Sequence, residues 1–200
     1  MPLSGQAWPV AAAWFLASWM VMMVPMMLPS LVPMLWRHTR STGVATLVSA
    51  GYYLVWAIYG VAAFALGIGV TTVQRQWPAI VSLVPVATGV VVLIAGGVQL
   101  TGWKLRQLAH CWDALACGQA RPPQRGPAWR QGLRLGVRCC LCCSGYMTVL
   151  LVTGMMRVGV MALVAAAITI ERIAPAPRRV ARAAGVVIIL TGAVLLTSSG

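Results

Sequence analysis

Acidic residues are almost missing from this chain: only Asp113 and Glu171 stand against fifteen Lys and Arg among 200 residues. Histidine is equally scarce, with His38 and His110 alone. General acid–base and nucleophilic catalysis need titratable partners within reach of one another, and no spacing here supplies such a pair, so the protein is not expected to be an enzyme. A metal-transport path would also have no acidic pair to use. Charged residues make up 8% of the chain and hydrophobic ones 60%, which is not the balance of an ordinary soluble domain. The first ten residues have neither the basic n-region nor the cleavage site of a secretory signal, so the first apolar run is expected to stay in place.

What is present is a series of apolar runs long enough to cross a hydrocarbon core, which takes roughly 20 residues per helix. They predict an all-α polytopic membrane helix bundle, a single integral domain over 1–200, with about six transmembrane helices near 11–36, 44–70, 79–100, 137–153, 158–173 and 183–197. The expected first helix contains Pro25, Pro29 and Pro33. Each proline removes a backbone donor, so this helix is expected to be kinked or partly unwound. The stretch 101–136 is polar and rich in Arg, Gln, Pro and Gly, and it reads as a surface loop with one amphipathic helix over 105–116. The run from 137 to 173 would exceed about 50 Å as a single helix, so it is divided at Gly154-Met155-Met156-Arg157.

Charge distribution supports this count. With six crossings, thirteen of the fifteen basic residues fall in loops on one side, leaving Arg75 and Arg157 on the other. The positive-inside rule then predicts a cytoplasmic 101–136 loop and both termini outside, in a bacterial inner membrane. The net charge of +13 is accounted for by lipid-facing loops, so the bilayer and not nucleic acid is the expected partner. Arg157 would then lie in an outer turn. Glu171 would end the fifth helix, paired with Arg172 or Arg178, and Gln99 would be a polar group near the end of the third.

Sulfur is the one chemically distinctive resource. All six cysteines fall between 111 and 143, and Cys139, Cys140, Cys142 and Cys143 occupy four of five consecutive positions. At about 100° per residue, Cys139, Cys140 and Cys143 share one side of a helix, and Cys142 lies about 60° round from Cys139. Reduced cytoplasmic thiols do not form a disulfide framework, and their softness favours Cu(I). Zinc is a weaker fit, since structural zinc takes four well-spaced ligands. Met20, Met23, Met27 and Met34 follow helical spacing, which suits either packing or a thioether path for copper.

Several ordered fragments resemble one bacterial family. These are Trp19-Met20-x-Met22 with Met26-Met27-Leu28-Pro29, Gly51-Tyr52 with Trp56, Gln99-Leu100-Thr101 with Lys104 and Cys111, Gly136-x-x-Cys139-x-x-Cys142-Cys143, Met147, Gly154-x-Met156 and Glu171-Arg172. The chain is similar, from about Trp14 to Arg172, to the metal-binding integral membrane proteins that include copper chaperones, one class of which serves tyrosinase. The resemblance implies Cu(I) as cargo, a recipient cuproenzyme as partner, Cys111, Cys139, Cys142 and Cys143 as thiol ligands, and Met22, Met26 and Met27 as thioethers. The chain departs from the family pattern at Gln107, where a cysteine is usual; the expectation is either that Cys140 or Cys117 substitutes or that the site is weakened. Copper binding and delivery is therefore the expected function. The alternatives are a metal transporter, or a membrane scaffold in which the sulfurs only pack.

Overall fold

A computed structural model describes residues 7–38, 42–116, 125–153, 158–174 and 176–198. These form α1 (Ala7–His38), α2 (Thr42–Gln76), a 3-10 turn at Pro78–Leu83, α3 (Val84–Leu100), α4 (Gly102–Ala116), α5 (Arg125–Thr153), α6 (Val158–Ile173) and α7 (Pro177–Thr197), with no strand among the described residues. The protein is all-α, as the apolar runs predict. Among the described residues, five stretches are long and apolar enough to cross a membrane: Trp8–Pro29, Thr42–Gln76, Val81–Leu100, Ala128–Thr153 and Pro177–Thr197. Gly159–Glu171 is a shorter apolar helix.

Three features differ from those expected, one inside a helix and two at helix starts. First, α1 stays helical through Pro25, Pro29 and Pro33 and is not partly unwound. Second, α5 begins at Arg125, twelve residues before the expected start at 137, so much of the anticipated loop is helix. Pro127 falls in its first turn, where a missing donor costs nothing. Beyond it, Ala128, Gly132 and Gly136 are buried while Arg130, Arg134 and Arg138 are exposed, two stripes each repeating every four residues. Third, α7 starts at Pro177, six residues before the expected 183, with proline in the first turn as helix starts favour. The turn 154–157 with Arg157 lies outside the described residues, as does Cys117.

The chain divides into two compact units, residues 1–75 with 120–137 and residues 76–119 with 138–200. In the first unit α1 meets α2 through Trp19. Its Nε1 donates to the Trp56 carbonyl at 3.0 Å, and its ring lies so close to Gly60 that a Cβ there would sit 2.7 Å from Trp19 Cδ1. Phe15 and Tyr59 extend this aromatic group, with ring centroids 6.0 and 5.9 Å from that of Trp19. Helix α5 approaches α2 at backbone distance. A Cβ at Gly132 would collide with the Val48 carbonyl, and one at Gly136 would lie 2.9 Å from the Tyr52 carbonyl. Small residues permit such close approach between membrane helices.

In the second unit α3 packs most extensively against α7. Gly89 and Gly96 on α3, and Gly185 and Gly192 on α7, are each two turns apart and buried. A Cβ at Gly96 would lie 2.7 Å from Ile189 Cγ1 and one at Gly192 would lie 3.0 Å from the Leu93 backbone nitrogen. This packing holds α3 up to the break that follows it at Thr101.

Candidate functional site

The break between α3 and α4 is built on Thr101. Its extended backbone stops α3, and its hydroxyl donates to the Val98 carbonyl at 2.6 Å while accepting from the Lys104 backbone N–H at 3.4 Å. That second bond, from the residue three positions on, is the N-cap pattern of a new helix. Thr101 thus ends one helix and starts the next, placing Lys104 in the first turn of α4.

Lys104, the only lysine in the chain, is 1% exposed. Its Nζ donates to the Cys142 carbonyl at 2.5 Å and to Glu171 Oε2 at 3.4 Å, and lies 3.3 Å from Glu171 Oε1. It also sits 5.1 Å from the centroid of the Tyr146 ring, within cation–π range. Glu171 is 2% exposed. It pairs with Lys104; of the two partners expected for it, Arg178 is exposed and the side chain of Arg172 lies outside the described residues. A buried charge demands such compensation, since an unpaired ion in an apolar interior is costly. Four elements meet at this node: Gln99 from α3, Lys104 from α4, Cys142 and Tyr146 from α5, and Glu171 from α6.

The node is not saturated. Gln99 Nε2 is buried without a hydrogen-bond partner, in contrast to the near-complete pairing usual for buried polar atoms, whereas Glu171 Oε1 lies on the Lys104 ammonium and Tyr146 interacts with Glu171. Gln99 reaches the α5 side through Gly145, where a Cβ would lie 3.6 Å from its side-chain carbonyl carbon. A polar cluster thus lies against the helix that carries the thiols.

Cys139, Cys142 and Cys143 are buried and Cys140 is half-buried. At about 100° per residue the three buried positions span an arc of roughly 100°, and Cys140 lies roughly 100° from its middle. The inward face is therefore centred on Cys139, Cys142 and Cys143. None of these four thiols is in a disulfide. Cys142 packs with Leu108 of α4 and Ala181 of α7, and Cys143 lies within electrostatic range of Tyr146 and Glu171. Among the described residues, no three or more His, Cys, Asp or Glu side chains gather as a metal-binding group. What one helix does offer is pairs of sulfurs: Cys139 with Cys142 or Cys143, at separations whose Cβ atoms are about 5–6 Å apart.

The other expected ligands fall elsewhere. Cys111 lies on α4, but its side chain is outside the described residues, as is that of Met34. Met22 is half-buried on α1, and Met26 and Met27 are buried, together with Met23. These methionines belong to the first unit and Cys139, Cys140, Cys142 and Cys143 to the second. The expected helical face of Met20, Met23 and Met27 is inward-facing in part, with Met20 half-buried.

Sequence reasoning did not anticipate the Lys104–Glu171 pair. The signal for it was scarcity: a single lysine and one of only two carboxylates in an otherwise apolar chain. Charge distribution alone groups Lys104 with the loop cations, whereas the other cations of the region, Arg106, Arg130 and Arg134, are exposed.

No curated protein and no solved structure matches the chain. A family model described as PpoB2, copper chaperone, matches residues 16–195. This span takes in both units, the thiols of α5 and the residues of the buried polar node. The chain belongs to the PpoB2 copper chaperone family.

Proposed function

We propose that this protein is a membrane carrier of Cu(I), not an enzyme, which holds the ion through sulfurs of α5 and passes it to a recipient cuproenzyme. The observation that carries this reading is the burial of Cys139, Cys142 and Cys143 on one face of a helix whose main chain is gripped by a buried lysine. Copper here is cargo. Thiolates suit Cu(I) by softness, and low coordination suits a carrier, because an ion held by few ligands leaves room for an incoming donor from the partner. A tetrahedral zinc site would need four ligands, more than α5 offers on its inward face.

In this reading Cys139, Cys142 and Cys143 supply the ligands, two of them binding the ion at a time, and Cys111 on α4 is a further thiol for transfer. Cys140 is then an accessory position, its half-buried placement giving less support to its role as substitute for the missing cysteine at Gln107. Met22, Met26 and Met27 serve as thioethers on the transfer route. The chain forms one integral domain of the bacterial inner membrane with six crossings. Five long apolar helices and the short α6 support that number, and the arginine bias places both termini outside.

Metal analysis of detergent-purified protein tests the proposal. Wild-type protein loaded with Cu(I) is expected to retain it through gel filtration, and the Cys139→Ser/Cys142→Ser/Cys143→Ser variant to lose it. Equal copper content in the two proteins would refute the carrier reading. A folded variant that still supported the partner enzyme would favour a scaffold.

A further inference from the structure

The buried node contains more charge than a packing role requires. An ion pair between α4 and α6 is replaceable by apolar residues of similar volume, often with no loss of stability. Here the pair is set against the thiol helix itself, with the ammonium on the carbonyl of Cys142 and on the face of Tyr146. Against the same helix, the Gln99 amide nitrogen, a hydrogen-bond donor, is buried without a partner. This suggests that the node is complete only when something else carries charge nearby.

Cu(I) binding supplies that charge. Two thiols that bind one Cu(I) release two protons, and the product, one monovalent cation with two thiolates, carries a net charge of −1. With the Lys104–Glu171 pair neutral overall, the site passes from zero to −1 on loading. In a low-dielectric interior an anion needs a counter-cation, and Lys104 is the only cation the described residues bury. We propose that Lys104 is the counter-charge of the Cu(I)–thiolate site on α5, and that Glu171 is the competing anion that holds its ammonium in place while the site is empty. Lys104 is thus a positioning residue: it touches the main chain of the ligand helix and acts on the metal through the ligands' charge. The proposal rests on the carrier reading above.

The two charges of the pair should then act on copper in opposite directions. Lys104→Met leaves the empty site at −1 and the loaded site at −2. Glu171→Gln leaves the empty site at +1 and the loaded site neutral. A purely structural ion pair predicts instead that both single variants are impaired alike.

The experiment is competition for Cu(I) between purified protein in detergent and a chromophoric Cu(I) chelator. We expect Lys104→Met to bind ten- to a hundredfold more weakly than wild type, the range seen when groups that support metal ligands are lost. Glu171→Gln should bind at least as tightly as wild type. The double variant, which carries no stranded charge and so controls for folding, should fall between wild type and Lys104→Met. Equal weakening by the two single variants, or no weakening by Lys104→Met, would overturn the assignment. If wild type binds no more tightly than the triple cysteine variant, the carrier reading fails and this proposal falls with it. If wild type does bind more tightly but the order of the charge variants is not seen, only this proposal fails.

Discussion

Replacing Lys104 with Met while keeping Glu171 strands a carboxylate that is 2% exposed. The separation of 3.3 Å between Nζ and Oε1 corresponds to about 5 kcal/mol of attraction at an effective dielectric of ~20. Deleting one partner of such a buried pair is expected to cost about 3–5 kcal/mol, most of it the penalty of the ion left behind. Glu171→Gln should cost a similar amount by stranding the ammonium, softened by its bond to the Cys142 carbonyl. Removing both charges with Lys104→Met/Glu171→Leu should recover most of the loss, because a volume-matched apolar pair is roughly neutral against an ion pair. The assay is unfolding in mixed micelles with increasing SDS, followed by circular dichroism or tryptophan fluorescence, for the four proteins without copper. A coupling energy of several kcal/mol between the two substitutions is the expected result. Additive losses, with the double variant as unstable as the sum of the singles, would refute the view that each charge compensates the other in the copper-free fold.

Other predictions rest on separate contacts. Gly132→Ala should destabilise by at least about 1–3 kcal/mol, the usual cost of overpacking, since the new methyl meets the Val48 carbonyl and no side chain can move aside. Gly97→Ala, with open space around its Cβ position, should be neutral or stabilising by up to about 1 kcal/mol, as alanine is the better helix former. Thermal unfolding of the two variants measures the difference, and equal effects would sink the close contact of α2 with α5. Under native conditions Cys140 should react with a maleimide well before Cys142 and Cys143, as expected of one half-buried and two buried thiols. Mass spectrometry of labelled peptides reads the order, and simultaneous labelling would contradict it. Trp19→Phe should cost about 1 kcal/mol through loss of its bond to the Trp56 carbonyl, seen as a lower SDS midpoint. A reporter fused after Gly200 should be active only outside the cytoplasm, and cytoplasmic activity would reverse the topology.

The helices were legible because burial in lipid and burial in protein ask for the same thing, an unbroken apolar run. This is why α2, α3 and α6 lie close to where hydropathy put them. The start of α5 was hidden because arginines, glycines and a proline read as loop when averaged. Taken in steps of four, the small residues 128, 132 and 136 and the arginines 130, 134 and 138 show two faces of one helix. The thiol face was half legible. Helical geometry grouped Cys139 with Cys143, but whether Cys140 or Cys142 joined them depended on which side the neighbours took, and neighbours are a tertiary fact. The Lys104–Glu171 pair was the least accessible, since its members lie 67 residues apart and no local pattern links them. Only an inventory of rare charges pointed towards it.

Lys104 grips the main chain at position 142 and not the sulfur, a distinction with evolutionary weight. A carbonyl oxygen is the same whatever side chain stands beside it, so the grip is indifferent to mutation there. Serine or alanine at 142 would keep the tether, and drift at this codon would go unpunished by the architecture. If relatives nonetheless keep cysteine at this position, selection is acting on the thiol's chemistry. Position 142 is thus a place where the history of the family can separate what the sulfur does from what the helix needs.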